Sequence, residues 1–328
     1  MKKLIPLFLA GALMVGMSAC GGSSAEPSTA PTGDSGASGG SEYDDIKIAV
    51  MLSGPPTDGG YCQQGADGVR AIQEKYGLDD SQVAIIDSVT TADMARSEAE
   101  NMAAEGYKVI FGQGGEFAEY FSEVAPDYPD TWFVTNGGSV VGENQFPMCM
   151  STEEGGYVCG VIAGMMTKTN TLGVIAGGDW PSFTKPGVGF ALGAKSVNPQ
   201  VEILETVLDG PDGEAAYAAV QEQLAAGADV IFSITNEAQP SALQAVQENG
   251  KARAFGMLGN YTEYAPEQLM GNVLCDYVEA YRQATEAIMA GTITESAPMF
   301  MTTGNGCVNF YWNDAVKAQL STEAVQAV

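Results

Sequence analysis

From residue 46 onward, short apolar runs alternate with amphipathic stretches, and glycine, proline or aspartate breaks nearly every junction. "IKIAVMLSG" reads as a strand running into a glycine loop. "GGYCQQGADGVRAIQEKYG" places Val69, Ile72 and Tyr76 on one helical face and stops at Gly77. The strand-like runs "QVAIID", "YKVIFG" and "TWFVTNGG" then alternate with the helical "ADMARSEAENMAAEG" and "EFAEYFSEVAPDYP". A second series begins with helix "EEGGYVCGVIAGMMTK". It continues through the strands "TLGVIAGG", "VEILETV" and "ADVIFSIT", each followed by a helical stretch. "ARAFGML", "GNVLCDY", helix "VEAYRQATEAIMAG" and a β-rich tail close the chain. Runs that are apolar throughout, rather than every second residue, are covered on both faces, the condition of a parallel sheet between helices. The pattern predicts an α/β fold of doubly wound parallel sheets, and roughly 280 residues suit two lobes better than one core. Such sheets bind ligands beyond the carboxyl ends of their strands. With two lobes, the expected site is the cleft between them.

The first 45 residues follow another logic. Met1, Lys2 and Lys3 precede an apolar run from Leu4 to Met17, then Ser18, Ala19 and Cys20. Cationic, apolar and small residues in that order form an export signal over 1–19. The run is shorter than the roughly 20 residues that cross a bilayer. Met17–Ser18–Ala19–Cys20 resembles the lipobox of bacterial lipoproteins, which implies that Cys20 is acylated and becomes the mature N-terminus. Residues 21 to 45 are Gly, Ser, Ala, Pro, Thr and acids, with Tyr43 as the one aromatic. Such a segment cannot bury enough surface to offset chain entropy, so 20–45 is expected to be a disordered tether on a lipid anchor.

Charge and composition exclude several classes. The chain carries 14 Lys+Arg against 41 Asp+Glu; without Lys2 and Lys3 the balance falls from −27 to −29. Nucleic-acid binding needs a basic footprint that is missing here. There is no histidine, which removes Ser–His and Cys–His nucleophile pairs and the commonest metal ligand. Beyond Cys20 the cysteines are Cys62, Cys149, Cys159, Cys275 and Cys307, with no CxxC spacing. They read as small buried hydrophobes rather than a zinc or redox site. No cofactor, metal or catalytic residue is expected. In "GGYVCGVIAGMMT", residues 155–167, Gly156, Gly160 and Gly164 recur every four residues, a spacing that suits a helix lying close to its sheet.

Several words of sequence resemble the basic membrane protein family, the lipoprotein substrate-binding components of ABC importers that include purine nucleoside receptors. The strongest run is "EEGGYVCGVIAGMMTKTNTLGVIAGGDWPSFTKPGVGFALGAKSVNP", residues 153–199. "DGGYCQQGADG", "GADVIF" and "YAPEQL" support it. The resemblance implies a type I periplasmic-binding-protein fold: two lobes crossed by three hinge strands, closing on a ligand. Lobe 1 is expected to comprise 46–146 plus about 257–295, and lobe 2 to comprise 147–256 plus about 296–328. The resemblance also places ligand contacts. Asp58 and Tyr61 match the acid and aromatic of the first loop, and Cys62 stands where asparagine is usual. Gln113, Glu116 and Phe117 lie in the glycine loop "FGQGGEF", which lacks the third glycine of a dinucleotide fingerprint. Asp179, Trp180 and Phe183 would supply the opposite aromatic face, and Asn236 lies at a further strand end with Thr235 and Glu237. Asn260 and Leu258 stand in a loop where the family carries aspartate. Asp276 stands where nucleoside receptors place a lysine, so the cleft is more acidic than theirs.

The expected function is capture of a small solute, a purine nucleoside first, by a monomer anchored on the extracytoplasmic side of the cell membrane. Its partners would be an ABC permease and ATPase. The open alternatives are a sugar or cationic amine ligand in the same fold, or a sensor that does not transport.

Overall fold

The computed structural model describes Tyr43 and residues 46–58, 60–293 and 297–326. The export signal, Cys20 and the tether, Tyr43 apart, lie outside the described residues. Tyr43 itself, within the stretch expected to be a tether, stacks on Tyr76 with ring centroids 3.8 Å apart.

The strands, in chain order, are β1 (Ile48–Met51), β2 (Val83–Ile86), β3 (Val109–Gly112), β4 (Trp132–Asn136), β5 (Gln145–Met150) and β6 (Thr171–Ala176). They continue as β7 (Glu202–Val207), β8 (Val230–Ile234), β9 (Arg253–Met257), β10 (Leu269–Cys275), β11 (Met299–Met301) and β12 (Val308–Trp312). One sheet has the order β11-β5-β4-β3-β1-β2 and the other β12-β10-β9-β8-β6-β7. All pairings are parallel except that of β12 with β10. The two sheets repeat one another: β1 and β6, β2 and β7, and β3 and β8 hold equivalent places. The inner strands are buried as the uniform apolar runs predict, β1, β3 and β8 completely, whereas the edge strands β2 and β7 are only partly covered.

The helices that position the site are α1 (Tyr61–Tyr76), α2 (Ala92–Ala104), α3 (Ala118–Val124), α4 (Thr152–Met166), α5 (Pro181–Val197), α6 (Gly213–Ala225), α7 (Gln239–Asn249) and α8 (Tyr277–Met289). α1 and α8 cover the first sheet together, while α4 and α5 pack side by side on the second. In α4, a Cβ on Gly156 would come within 2.1 Å of the Pro186 carbonyl oxygen, and one on Gly160 within 2.0 Å of that of Phe190. From α5, Gly189 and Gly193 meet the backbone of Glu153 and Tyr157 equally closely. The four-residue glycine spacing therefore serves a helix–helix seam rather than the helix–sheet contact expected. Of the α4 glycines it is Gly155 that faces the sheet, against Val273.

The chain passes between lobes three times: at Ser151 between β5 and α4, at Asp276 between β10 and α8, and through 302–307 between β11 and β12. These crossings are laced together. The Ser151 amide donates to the Met301 carbonyl (2.8 Å) and that of Asp276 to the Cys307 carbonyl (2.7 Å). The Glu154 carboxylate accepts from the Thr303 amide and hydroxyl at 2.7 and 2.6 Å.

The lobe boundaries differ from those expected. The first lobe keeps β5 and so runs to Met150, and its second contribution is 277–301 instead of about 257–295. β9 and β10 both pair within the second sheet, with Gly256 beside Asn272 in register. The break at "GMLG" is a turn between neighbouring strands, and apolar periodicity does not say which sheet a strand joins.

Candidate functional site

Most of the expected residues follow the carboxyl ends of β1 and β3 in the first sheet and of β6, β8 and β9 in the second. Asp58 works locally: its carboxylate accepts from the backbone amides of Gly60 (2.8 Å), Gln63 (3.0 Å) and Cys62 (3.1 Å). It thereby satisfies amides that the α1 N-terminus leaves open. Partial burial alone would raise its pKa, but the three N–H donors outweigh that and hold it below the usual carboxylate value.

Tyr61 opens α1 and is 40% exposed. Its hydroxyl donates to the Asn136 carbonyl at 3.3 Å, and its ring meets Tyr277 edge-on at 5.9 Å. The protein crowding the hydroxyl pushes its pKa up, and the charge of Glu116 adds to the shift. Cys62 is buried, its thiol packed near Gly54 and the Ser53 hydroxyl. Burial raises its pKa, so it is an inert thiol rather than a reactive one.

Two expected ligand contacts have other roles. Gln113 is fully buried. Its amide nitrogen donates to the Tyr61 carbonyl (2.8 Å), and its oxygen accepts from the Tyr281 hydroxyl (2.7 Å) and the Asn136 amide (3.2 Å). Gly65 and Gly68 let α1 sit directly on Gln113 and Tyr281, where a Cβ would come within 2.9 and 2.8 Å. Phe117 is buried in the first lobe's core against Gly112 and Phe121, with no face left for a solute. Its neighbour Glu116 is exposed over Gly114.

On the second lobe, Trp180 is 55% exposed at the start of α5. It lies over Gly178, with its indole 6.1 Å from Phe183. Phe183 is buried against Gly177 and supports the indole rather than facing solvent. Asp179 is exposed beside them. Asn236 and Leu258, at the ends of β8 and β9, have φ of +46° and +72°. A left-handed backbone at a bulky residue such as Leu258 is strained and recurs at functional loops. Asn260 accepts from the Thr262 amide (3.1 Å) and hydroxyl (2.7 Å), which shapes its own loop. Asp276 caps α8 through the Glu279 amide at 2.9 Å.

Asp276 also lines a crevice of about 260 Å³. Gln64 and Asp67 of α1 form one wall, Leu258, Asn309 and Tyr311 of the second lobe the other, and Tyr277 lies at the hinge. Tyr277 and Asn136 went unnoticed in the sequence. Tyr277 carries no signal there because its role comes from starting α8 at a crossing. Asn136 ends β4 just before a glycine pair, Gln113 follows β3 just before another, and that parallel could have found it. Among the described residues no group of three or more thiol or carboxylate side chains is placed to hold a metal, and no helix is long and apolar enough to cross a membrane.

Residues 45–328 match the family described as ABC transporter substrate-binding protein PnrA-like. The chain belongs to the Bmp family. Relatives include the transcriptional activator protein Med of Bacillus subtilis, 28% identical over 75% of this chain and 76% of that protein. A purine-binding protein of Brucella abortus is 27% identical over 75% of this chain and 70% of its own length. A putative ABC transporter glucose-binding protein of Haloferax volcanii is 28% identical over 77% of this chain and 64% of its own length. Among solved structures, a transcriptional activator of the comK gene from Bacillus halodurans superposes with TM-score 0.74 at 23% identity, covering 85% of this chain and 95% of that one. An ABC transporter solute-binding protein from Conexibacter woesei gives 0.64 at 21%, covering 86% and 95%. These likenesses establish the type I solute-binding fold. This Bmp protein is thus an ABC substrate-binding protein by family.

Proposed function

We propose that this protein captures a purine nucleoside between its lobes and delivers it to an ABC permease and ATPase, while Cys20 anchors it outside the cell membrane. One observation carries the reading. The equivalent strands β1 and β6 each lead to an exposed aromatic at the first turn of the following helix, Tyr61 in one lobe and Trp180 in the other. Two such rings on opposing walls suit a flat base, whose stacking contributes about 1–3 kcal/mol per ring. The purine-binding relative supports the same class. Closure of the hinged lobes would complete the site.

Thermal melting of residues 45–328 with a nucleoside panel tests this, since ligand at 100 times its dissociation constant adds about 2.7 kcal/mol of stability. Tyr61→Ala and Trp180→Ala should each weaken binding at least about tenfold. Unchanged affinity in both variants would remove the two-ring site. A sugar is the second reading, favoured by the polar lining of the hinge crevice with Gln64, Asn309 and Asp276. A melting shift with monosaccharides and none with nucleosides would put it first.

A further inference from the structure

The outer face of α4 and α5 is apolar where a surface helix normally presents polar side chains. On α5, Val188 and Leu192 are 58% and 60% exposed, one turn apart. On α4, Tyr157 and Met165 are exposed, and Val161 midway between them is half-buried. The glycine seam joins the two rows into one surface. A Cβ on Gly193, the neighbour of Leu192, would come within 2.1 Å of the Tyr157 carbonyl oxygen and 3.0 Å of the Val161 nitrogen. Single exposed apolar side chains are ordinary, whereas a contiguous group marks a contact.

Charge and spacing identify the occupant. The chain carries a net charge of −27, so two copies repel one another over most of their surface. This face is different. Lys185 and Lys195 frame Val188 and Leu192, and Lys168 is exposed just past the end of α4. None of the three lysines has an ion-pair partner among the described residues. Glu154 stands in the first turn of α4, and both bonds from Thr303 use its Oε2, leaving Oε1 for another donor.

The row along α4 is symmetric about Val161. Tyr157 and Met165 lie four residues to either side, and Glu154 and Lys168 lie seven. Intervals of three and four keep Glu154, Tyr157, Val161 and Met165 on one stripe of the helix. A row with an acid at one end, a lysine at the other and apolar side chains between is its own complement when turned end for end. Two α4 helices crossing antiparallel at Val161 would set Tyr157 against the partner's Met165 and Glu154 against the partner's Lys168. A two-fold axis makes each contact twice, and the helix dipoles oppose one another favourably.

We propose that the outer face of α4 and α5 is a two-fold interface between copies of this chain, centred on Val161. The monomer expected from the sequence is then one half of a dimer. Both helices belong to the second lobe, so the first lobe of each copy stays free to close. The interface does not depend on which solute is captured.

Sedimentation velocity on residues 20–328 carrying Cys20→Ser, with thiols kept reduced, should show a dimer with a micromolar or tighter Kd. Leu192→Asp, at an exposed position, should weaken it at least about tenfold and leave the melting midpoint unchanged. Met165→Asp and Tyr157→Lys should each weaken it similarly. Combined in one chain they should recover most of the loss, because the new charges then face each other across the two-fold axis. A chain that stays monomeric at roughly 100 μM, or a double variant weaker than either single one, overturns the interface. So does a monomer that floats with phosphatidylglycerol vesicles and loses this on Leu192→Asp, which would assign the face to a membrane.

Discussion

Gln113 offers the sharpest test of how the first wall of the cleft is held. Gln113→Met keeps the length and volume of the side chain and removes both polar ends. The Tyr61 carbonyl still has its own helix, but the Tyr281 hydroxyl and the Asn136 amide lose their acceptor. Both residues are buried, Tyr281 completely, so water cannot readily replace the lost group. Each orphaned buried group costs about 1–3 kcal/mol, or about 4 kcal/mol for the pair at mid-range. For a domain of this size that is roughly 8–16 °C in melting midpoint. The assay is thermal melting by circular dichroism, with Tyr281→Phe measured alone and in the Gln113→Met background. The two changes share one hydrogen bond, so Tyr281→Phe should cost clearly less in that background than alone. A midpoint within about 1 °C of the parent, or fully additive costs, would refute the network.

Three further outcomes are expected. Gly160→Ala should destabilise despite the helix preference for alanine of about 1 kcal/mol, because its methyl meets the rigid Phe190 carbonyl; Gly210→Ala, with nothing within 4 Å, is the control in urea unfolding. Burial alone would raise the pKa of Glu286, but Lys75, Tyr76 and Arg282 hold it at about 2. The stability it contributes should be complete above its unfolded value near about 4.3 and lost as pH falls towards 2, and Glu286→Gln should flatten the acid limb of a pH–melting curve over that window. Cys20→Ser should abolish acyl labelling and move the protein from the membrane to the soluble fraction.

The repeat of apolar runs and helices was readable because parallel strands covered on both faces leave a plain signature, as "YKVIFG" and β3 illustrate. β5 was not seen: "QFPMCM" contains Pro147, which disguises a strand lying between β4 and β11. The exposed rings of Tyr61 and Trp180 followed from their place after strands, whereas Gln113 and Phe117 occupy equally suggestive positions and face inward. Sequence position brings a residue to the end of a strand; the direction of its side chain depends on what packs beneath, here Gly65 for Gln113 and Gly112 for Phe117. The hinge was the least legible part, since Tyr277 touches the second lobe's core while Tyr281, one turn later, lies in the first lobe's.

Two of the three passages between lobes are a single residue long, Ser151 and Asp276, each followed at once by a helix. One residue inserted at either point would rotate the next helix by about 100° about its own axis. The glycine seam of α4 would then face away from α5, and Tyr281 would swing off Gln113. Length can therefore drift freely only at turns remote from these joints, and the spacing from β5 into α4 and from β10 into α8 behaves as a fixed gear ratio between the lobes.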